Sequence, residues 1–377
     1  MKTPSVHIVI LTAFLAAVVM AIPLTSEAAD TPQPTSQGDE LSGGGIEFNS
    51  KLYLRIWTCD EHDEFKWLTI TPANQPLAIP KCRWWGVQPM DGVSVADVVT
   101  EAKAQGIPGL WLEVASDDDL ALVGGCPKLQ MLHLRDTKFT DAGLASIARL
   151  KKLQYLGLFG TQIGDGGLKN LAGLPDLRWL DLWQTKITDA GLASLKDFKK
   201  LQTLVLGSTK ITDAGLANLS GLTDLRTLEM SGTGITDGGL VHIKELKSLQ
   251  TVGLGITKVT DAGLVNLVGL RNLRTLGLSA TKVTDAGLAK LKELKQLQRL
   301  NLGGTQVTDA GLPALMELDG LEELSLDHTR VSLAGLTKLA ALKHLRQLDV
   351  QGTDITEVEA GALQEALPNV SISVSHR

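Results

Sequence analysis

Aromatic residues are scarce in this chain, 4% of 377, although 44% of it is hydrophobic. A core must therefore be built from aliphatic side chains, leucine above all, which favours a stacked interior over an ordinary globule. Surplus positive charge is missing as well: 36 Lys+Arg stand against 42 Asp+Glu, net −6, with nothing to spare for a nucleic-acid backbone. No nucleic-acid partner is expected. Catalytic signatures are equally missing, with no G-x-S-x-G, G-x-x-x-x-G-K, H-E-x-x-H or C-x-x-C. His242, His328 and His344 each stand alone in polar positions. The chain is read as a non-enzyme with no catalytic residue, no metal site and no cofactor. Wholesale disorder is excluded too, since charged residues are only 21% and leucine is spread evenly.

What is present begins with an export layout. Met1-Lys2-Thr3 precede an apolar run from Ile8 to Ile22, broken only by Thr12, and then come Pro23 and Ser26-Glu27-Ala28. The run is about 15 residues, short of the ~20 that a membrane span needs, and Ser26 and Ala28 sit at −3 and −1 of a cut before Ala29. Residues 1–28 are read as a signal peptide, with an uncleaved anchor as the alternative. Periplasmic or extracellular localisation follows, with no membrane span once the segment is removed. Residues 29–45, rich in Pro, Ser, Thr, Gln and Gly, form a flexible linker.

Residues 46–128 have a different texture and are assigned to an N-terminal cap with a first irregular repeat. Leu52, Leu54 and Ile56 alternate with Tyr53, Arg55 and Trp57, and a second apolar run spans Phe65 to Ile70, which together predict a hairpin. Ser94 with Asp97 three residues on, Val95, Val98 and Val99, and then Gly106 predict a helix over about 95–105. Trp57, Trp67, Trp84, Trp85 and Trp111 all fall in this region, five of the chain's seven tryptophans, as a lid on the end of a solenoid requires. Of the three cysteines, Cys126 falls on a position that later repeats fill with Leu or Phe and is read as a buried thiol. Cys59 and Cys82 remain, and in an exported chain they are expected to form a disulfide. The acidic run Asp60 to Glu64 offers carboxylates and His62 but lacks cation-loop spacing, so it is read as a solvated hairpin loop.

The dominant feature is a period of 24. Asp141, Asp165, Asp189, Asp213, Asp237, Asp261, Asp285 and Asp309 recur without an insertion, each followed two residues later by Gly-Leu. Self-similarity at this spacing signals a solenoid. One unit runs Leu201-Gln-Thr-Leu204-Val-Leu206-Gly-Ser-Thr209-Lys-Ile211-Thr-Asp213-Ala-Gly-Leu216-Ala-Asn-Leu219-Ser-Gly-Leu222. The frame resembles the leucine-rich repeat family. Its Thr-Asp-x-Gly-Leu segment is similar to exported bacterial members and to the ribonuclease-inhibitor-like group, which also includes repeats of F-box adaptors. The resemblance covers about two thirds of the chain and implies an α/β fold: a leucine-rich-repeat solenoid, with a curved parallel sheet and convex helices, behind a small β-rich N-terminal cap. Residues 129–356 are assigned to ten repeats and 357–377 to a C-terminal cap, where Ser332-Leu333, Glu357, Glu359 and an alternating Val370–Val374 depart from the frame.

Each frame position has an expected task. Leu-x-x-Leu-x-Leu forms a short strand stacking at ~4.8 Å per repeat. The ninth residue, Thr in every unit from Thr137 to Thr353, is expected to tie the turn to a neighbouring coil. The following Thr-Asp is expected to cap the convex helix, Thr as N-cap and Asp as first-turn charge. Basic tenth residues (Lys138, Lys186, Lys210, Lys258, Lys282, Arg330) lie near enough in sequence to offset those acids.

Function is sought on the concave face, where the third, fifth and seventh positions of each unit project. Repeats four to seven carry small or polar residues there. The first three carry Met131, His133 and Arg135, then Tyr155, Gly157 and Phe159, then Trp179, Asp181 and Trp183. Residues 129–377 hold six aromatics, and four of them form two cross-strand pairs here, Tyr155 beside Trp179 and Phe159 beside Trp183. Two readings stand: an open floor that anchors a partner, or a minor core covered by residues 46–108. His133 and Asp181, two strands apart at about 10 Å, are too far apart for an acid–base pair. On the open reading, the partner-binding residues are Met131, His133, Arg135, Tyr155, Phe159, Trp179, Asp181 and Trp183. The expected activity is recognition of another protein. The alternatives are binding of a cell-envelope glycan by the same aromatics, and an F-box-like adaptor, which the export signal and β-rich cap disfavour.

Overall fold

A computed structural model describes residues 46–59, 65–71, 76–80, 82, 84–113, 115–135 and 138–375. The signal segment, the linker, the acidic loop 60–64 and Thr137 lie outside the described residues. The cap contributes β1 (Ile46–Phe48), β2 (Leu54–Cys59), β3 (Phe65–Ile70), β4 (Leu77–Ile79), β5 (Trp84–Pro89), α1 (Val95–Gln105) and β6 (Gly109–Leu112). Next come α2 (Asp117–Val123), β7 (Met131–Leu134), β8 (Tyr155–Gly157), β9 (Trp179–Asp181) and further strands from Thr203–Val205 to Ser371–Ser373.

The cap and the repeats share one 15-stranded sheet. It runs from the C-terminal strand through every repeat to β6, then β5, β2 and β3, while β1 and β4 form a separate antiparallel pair. Repeat strands are parallel and register at intervals of 24, with Leu156, Leu180, Leu204 and Leu228 in one row. The leucine frame is buried throughout and forms one continuous core that takes in Leu54, Ile56, Val87, Val98 and Val99 of the cap. Burying aliphatic surface at ~25 cal/mol per Å² is the main source of this cohesion. The predicted helix over 95–105 is α1, with Ser94 Oγ accepting from the Asp97 N–H at 3.1 Å and Gly106 closing it at φ 67°. Cys126 is buried in the core, as its frame position implies.

Expectations for the turn threonines and the cap cysteines are corrected. The ninth-position Thr ties its own coil rather than a neighbour: Thr161, Thr185 and Thr209 donate to the carbonyls of Leu158, Leu182 and Leu206, three residues back. The neighbouring coil is bound instead by the Asp column. Each carboxylate accepts from the following repeat, as Asp189 does from the N–H and hydroxyl of Thr212. Thr still caps its own turn, with Thr188 Oγ1 accepting from the Ala190 N–H. The convex helices are short, from four residues at Asp189–Leu192, continued by the 3₁₀ turn Ala193–Asp197, to seven at Asp141–Ile147 and Asp285–Leu291. A 24-residue unit leaves room for little more once the strand is made. Among the described residues no disulfide joins Cys59 to Cys82; burial raises the Cys82 thiol above its ordinary value, opposed by the Cys59 backbone N–H.

The repeat frame also imposes a backbone requirement at its eighth position. Gly160, Gly232, Gly304 and Gly352 have φ between 66° and 71°, and Gln184, Ser208, Ile256, Ala280 and His328 occupy the same left-handed region at 52–54°. The eighth N–H thereby reaches the next coil: Ile256 N donates to Ser279 O at 2.8 Å. At the C-terminal end Ser332 keeps the ladder through its N–H and hydroxyl to Asp309, and Thr356 begins the last helix with a capping box to Glu359.

Candidate functional site

The concave face of β6 to β9 carries two columns set by register. Gly109, Met131, Tyr155 and Trp179 form one, and Trp111, His133, Gly157 and Asp181 the other. Several large side chains of this face lie across a glycine of a neighbouring strand. A Cβ on Gly157 would fall 2.4 Å from Nδ1 of His133, and one on Gly207 would fall 1.9 Å from Cζ3 of Trp183. The Trp57 indole covers both Gly86 and Gly109 in the same way. Farther along, Glu229 lies over Gly253 and Asp327 over Gly303.

The result is an aromatic row crossing from cap to repeats. Trp67 and Trp111 are 5.7 Å apart, Trp111 and His133 4.1 Å, His133 and Tyr155 6.3 Å, and Tyr155 stacks on Trp179 at 5.3 Å. From the cap, Trp84 meets Tyr155 edge-on at 6.3 Å. Trp57, Cys59 and Trp84 close over Met131 and Tyr155 as a second, small core, with Trp179 packed at its margin.

The eight site residues therefore fall into two groups. Met131, His133, Tyr155, Asp181 and Trp183 are buried, the most exposed of them at 4%. Arg135, Phe159 and Trp179 are half-buried, and the Arg135 guanidinium sits 5.1 Å over the Phe159 ring. Trp67 extends the row outward at 44% exposure, with Arg55 5.9 Å above it.

Burial sets the charges. It pushes His133 down to about 3, with Arg135 adding to the effect, so the imidazole is a neutral slab between aromatic neighbours. Burial also pushes the Asp181 carboxyl up to about 6, opposed by the hydrogen bond from the Trp183 N–H at 2.9 Å. Glu229 is raised by burial in the same way. Gly157 lies between His133 and Asp181 in the sheet register, so the two do not meet as an acid–base pair. Among the described residues no group of three His, Cys, Asp or Glu is placed to hold a metal ion, and no helix is long and apolar enough to cross a membrane.

Trp57, Trp84 and Trp111 are site residues that reasoning from the repeat frame misses. Two signals point to them. Leu110-Trp111-Leu112 is an early copy of the strand frame, which puts Trp111 in the His133 column. Glycine also follows bulk at the repeat interval, with Gly157 after His133 and Gly207 after Trp183.

Residues 112–366 match the family model for a leucine-rich repeat region. No curated protein matches the chain. Among solved structures, an internalin (inlF) of Listeria monocytogenes is similar over 74% of this chain and 89% of its own, at 21% identity and a TM-score of 0.51. A leucine-rich-repeat protein of Leptospira interrogans is similar over 74% of each chain, at 19% identity and a TM-score of 0.50. Both likenesses concern the fold. Matched over most of its length and built from one 24-residue coil stacked in register, the chain belongs to the leucine-rich repeat family.

Proposed function

We propose that this protein is exported to the periplasm or the extracellular space and recognises a partner protein through the N-terminal third of its concave face. One observation carries the reading: four of the six aromatic side chains of residues 129–377 fall on the concave positions of two adjacent repeats. Of these, Phe159 and Trp179 keep part of their surface in solvent. Arg135, Phe159 and Trp179 supply the direct contacts, since aromatics and arginine are the side chains that anchor partners. Met131, His133, Tyr155, Asp181 and Trp183 form the bed that holds those three in place. Such a site binds without transforming its partner.

Two half-buried rings can be removed without emptying the core. A Phe159→Ala/Trp179→Ala variant, checked by circular dichroism for unchanged folding, is compared with the parent for capture of envelope and extracellular proteins. Loss of a captured protein, about 2–4 kcal/mol per anchor, supports the reading. Equal capture by parent and variant sinks it. A glycan panel run as competitor separates the carbohydrate alternative, for which the half-buried Trp179 ring, backed by Tyr155, offers a platform.

A further inference from the structure

The face that carries the aromatic row does not end at the repeats. Along β2 and its approach, Leu52, Leu54 and Ile56 turn to the core, while Lys51, Tyr53 and Arg55 alternate with them and are exposed on the other side. β3 adds Trp67, with Arg55 5.9 Å over its ring, and Ile70, which stands opposite Arg55 in register. Nine large hydrophobic side chains are exposed among the described residues, and four of them gather here: Tyr53, Trp67, Leu68 and Ile70, between 42% and 60% exposed. Such a concentration marks a contact surface. Together the four leave roughly 300–500 Å² open, taking about 150–250 Å² for each whole side chain. That is about half of the ~800 Å² each partner gives to a standard interface, and it adjoins the half-buried anchors of the repeats.

Charge selects what covers it. Every charged side chain of residues 51–59 and 65–71 is basic: Lys51, Arg55 and Lys66. The acids of 60–64 join the two strands at the end away from Tyr53 and Ile70. Glu113, just past β6, is engaged by Gln88, whose Nε2 donates to its Oε1 at 2.8 Å.

We propose that this face of the cap docks an acidic, apolar segment of the partner protein: apolar side chains of the segment cover Tyr53, Trp67 and Ile70, and its carboxylates pair with Lys51 and Arg55. The proposal rests on the concave reading and extends it, since one partner then lies on the cap and the first repeats together. A second copy of this chain fits poorly, because a two-fold contact through the patch sets a basic surface against its own copy. Charge pairing at an exposed rim acts mainly on the rate of encounter and on the choice of partner, while the rings supply the held area.

A phage-displayed library of random peptides is selected on the immobilised protein, and the enriched peptides are measured by fluorescence polarisation. They are expected to carry Asp or Glu beside aromatic or aliphatic residues and to bind more weakly as salt rises. Lys51→Glu/Arg55→Glu and Tyr53→Ala/Ile70→Ala, each checked by circular dichroism for unchanged folding, are expected to lose about tenfold or more in affinity for them. Selection on the charge-reversed variant is expected to enrich basic peptides in place of acidic ones. No enrichment, peptides without an acidic bias, or peptides that bind both variants as tightly as the parent overturn the proposal. So does capture of phosphatidylglycerol vesicles in place of any peptide, which would make the patch a lipid site, or a dimer of the protein that Tyr53→Ala/Ile70→Ala dissociates. Phe159→Ala/Trp179→Ala distinguishes the two readings: peptides that bind it like the parent but lose affinity for the cap variants keep the acidic segment on the cap and sink the anchors of the repeats.

Discussion

Asp165 binds Thr188 twice: its carboxylate accepts from the Thr188 backbone N–H at 2.8 Å and from the Thr188 hydroxyl at 2.6 Å. Thr188 in turn caps the helix that carries Asp189, which holds Thr212 in the same way. Every carboxylate in the column thus staples its own coil to the next. Hydrogen bonds to an ionised acceptor contribute about 1.5–3 kcal/mol each, so Asp213→Ala, which releases both bonds from Thr236, is expected to lower the urea midpoint sharply.

The ladder has one weak rung. Gly164 offers Asp141 its N–H but no hydroxyl, and its helix lacks a side-chain cap. Its backbone, φ −114° and ψ −166°, is extended like that of the capping threonines, and a Cβ there meets only Asp141 Oδ2 at 3.5 Å. Gly164→Thr is expected to stabilise the protein by about 1 kcal/mol through a cap and a second bond to Asp141. Chemical denaturation checks this, and no gain would show that the repeat cannot accept the side chain.

Ile256 holds a branched side chain at φ 52° and is 39% exposed. The left-handed region costs a non-glycine residue roughly 1–2 kcal/mol, while four equivalent positions carry glycine. Ile256→Gly is expected to raise stability by about 1 kcal/mol in urea titration, whereas Ile256→Ala keeps the strain and gives no comparable gain.

Asp181 and His133 impose opposite pH dependences. Between about pH 4 and 6 the native Asp181 keeps a proton that the unfolded chain has released, so stability falls as pH rises and the cost is complete above about 6. His133 refuses a proton that the unfolded chain takes up below about 6.5, so its contribution is intact above that value and is lost as pH falls toward 3. Asp181→Asn is expected to remove the loss between pH 4 and 6, at most about 3 kcal/mol. Asn301 already accepts from Gly303 N–H in the equivalent position. Denaturation profiles of the parent, Asp181→Asn and His133→Phe across pH 4–8 check both signs.

Gly207→Ala adds a Cβ where the Trp183 ring lies and is expected to displace it, costing about 1–3 kcal/mol and shifting tryptophan emission. Unchanged emission would mean that Trp183 does not lie across Gly207.

The repeat length, the strand positions and the buried leucines were legible because each is a local pattern recurring every 24 residues: Leu204 and Leu228 pair as their spacing requires. The Tyr155–Trp179 pair was legible for the same reason, as were α1 and its caps, whereas Trp183, expected beside Phe159, lies over Gly207 of the next repeat. The reach of the cap was not. β2, β3 and β5 extend the repeat sheet and bring Trp57 and Trp84 into one cluster with Tyr155, across about seventy to a hundred residues and with no periodic signature.

Sequence alone therefore determined the coil and its stacking, since a strict period with an aliphatic frame admits one register in which every leucine is buried. Tertiary structure decided where side chains of equal local promise were directed. Asp213 could serve its own helix or the next coil, and only the next coil's unpaired Thr236 N–H made the choice. Tyr155 could face solvent or a lid, and the curl of β2 and β5 placed Trp84 above it. Both outcomes depend on groups brought together by the completed fold, whose positions no short stretch of chain specifies.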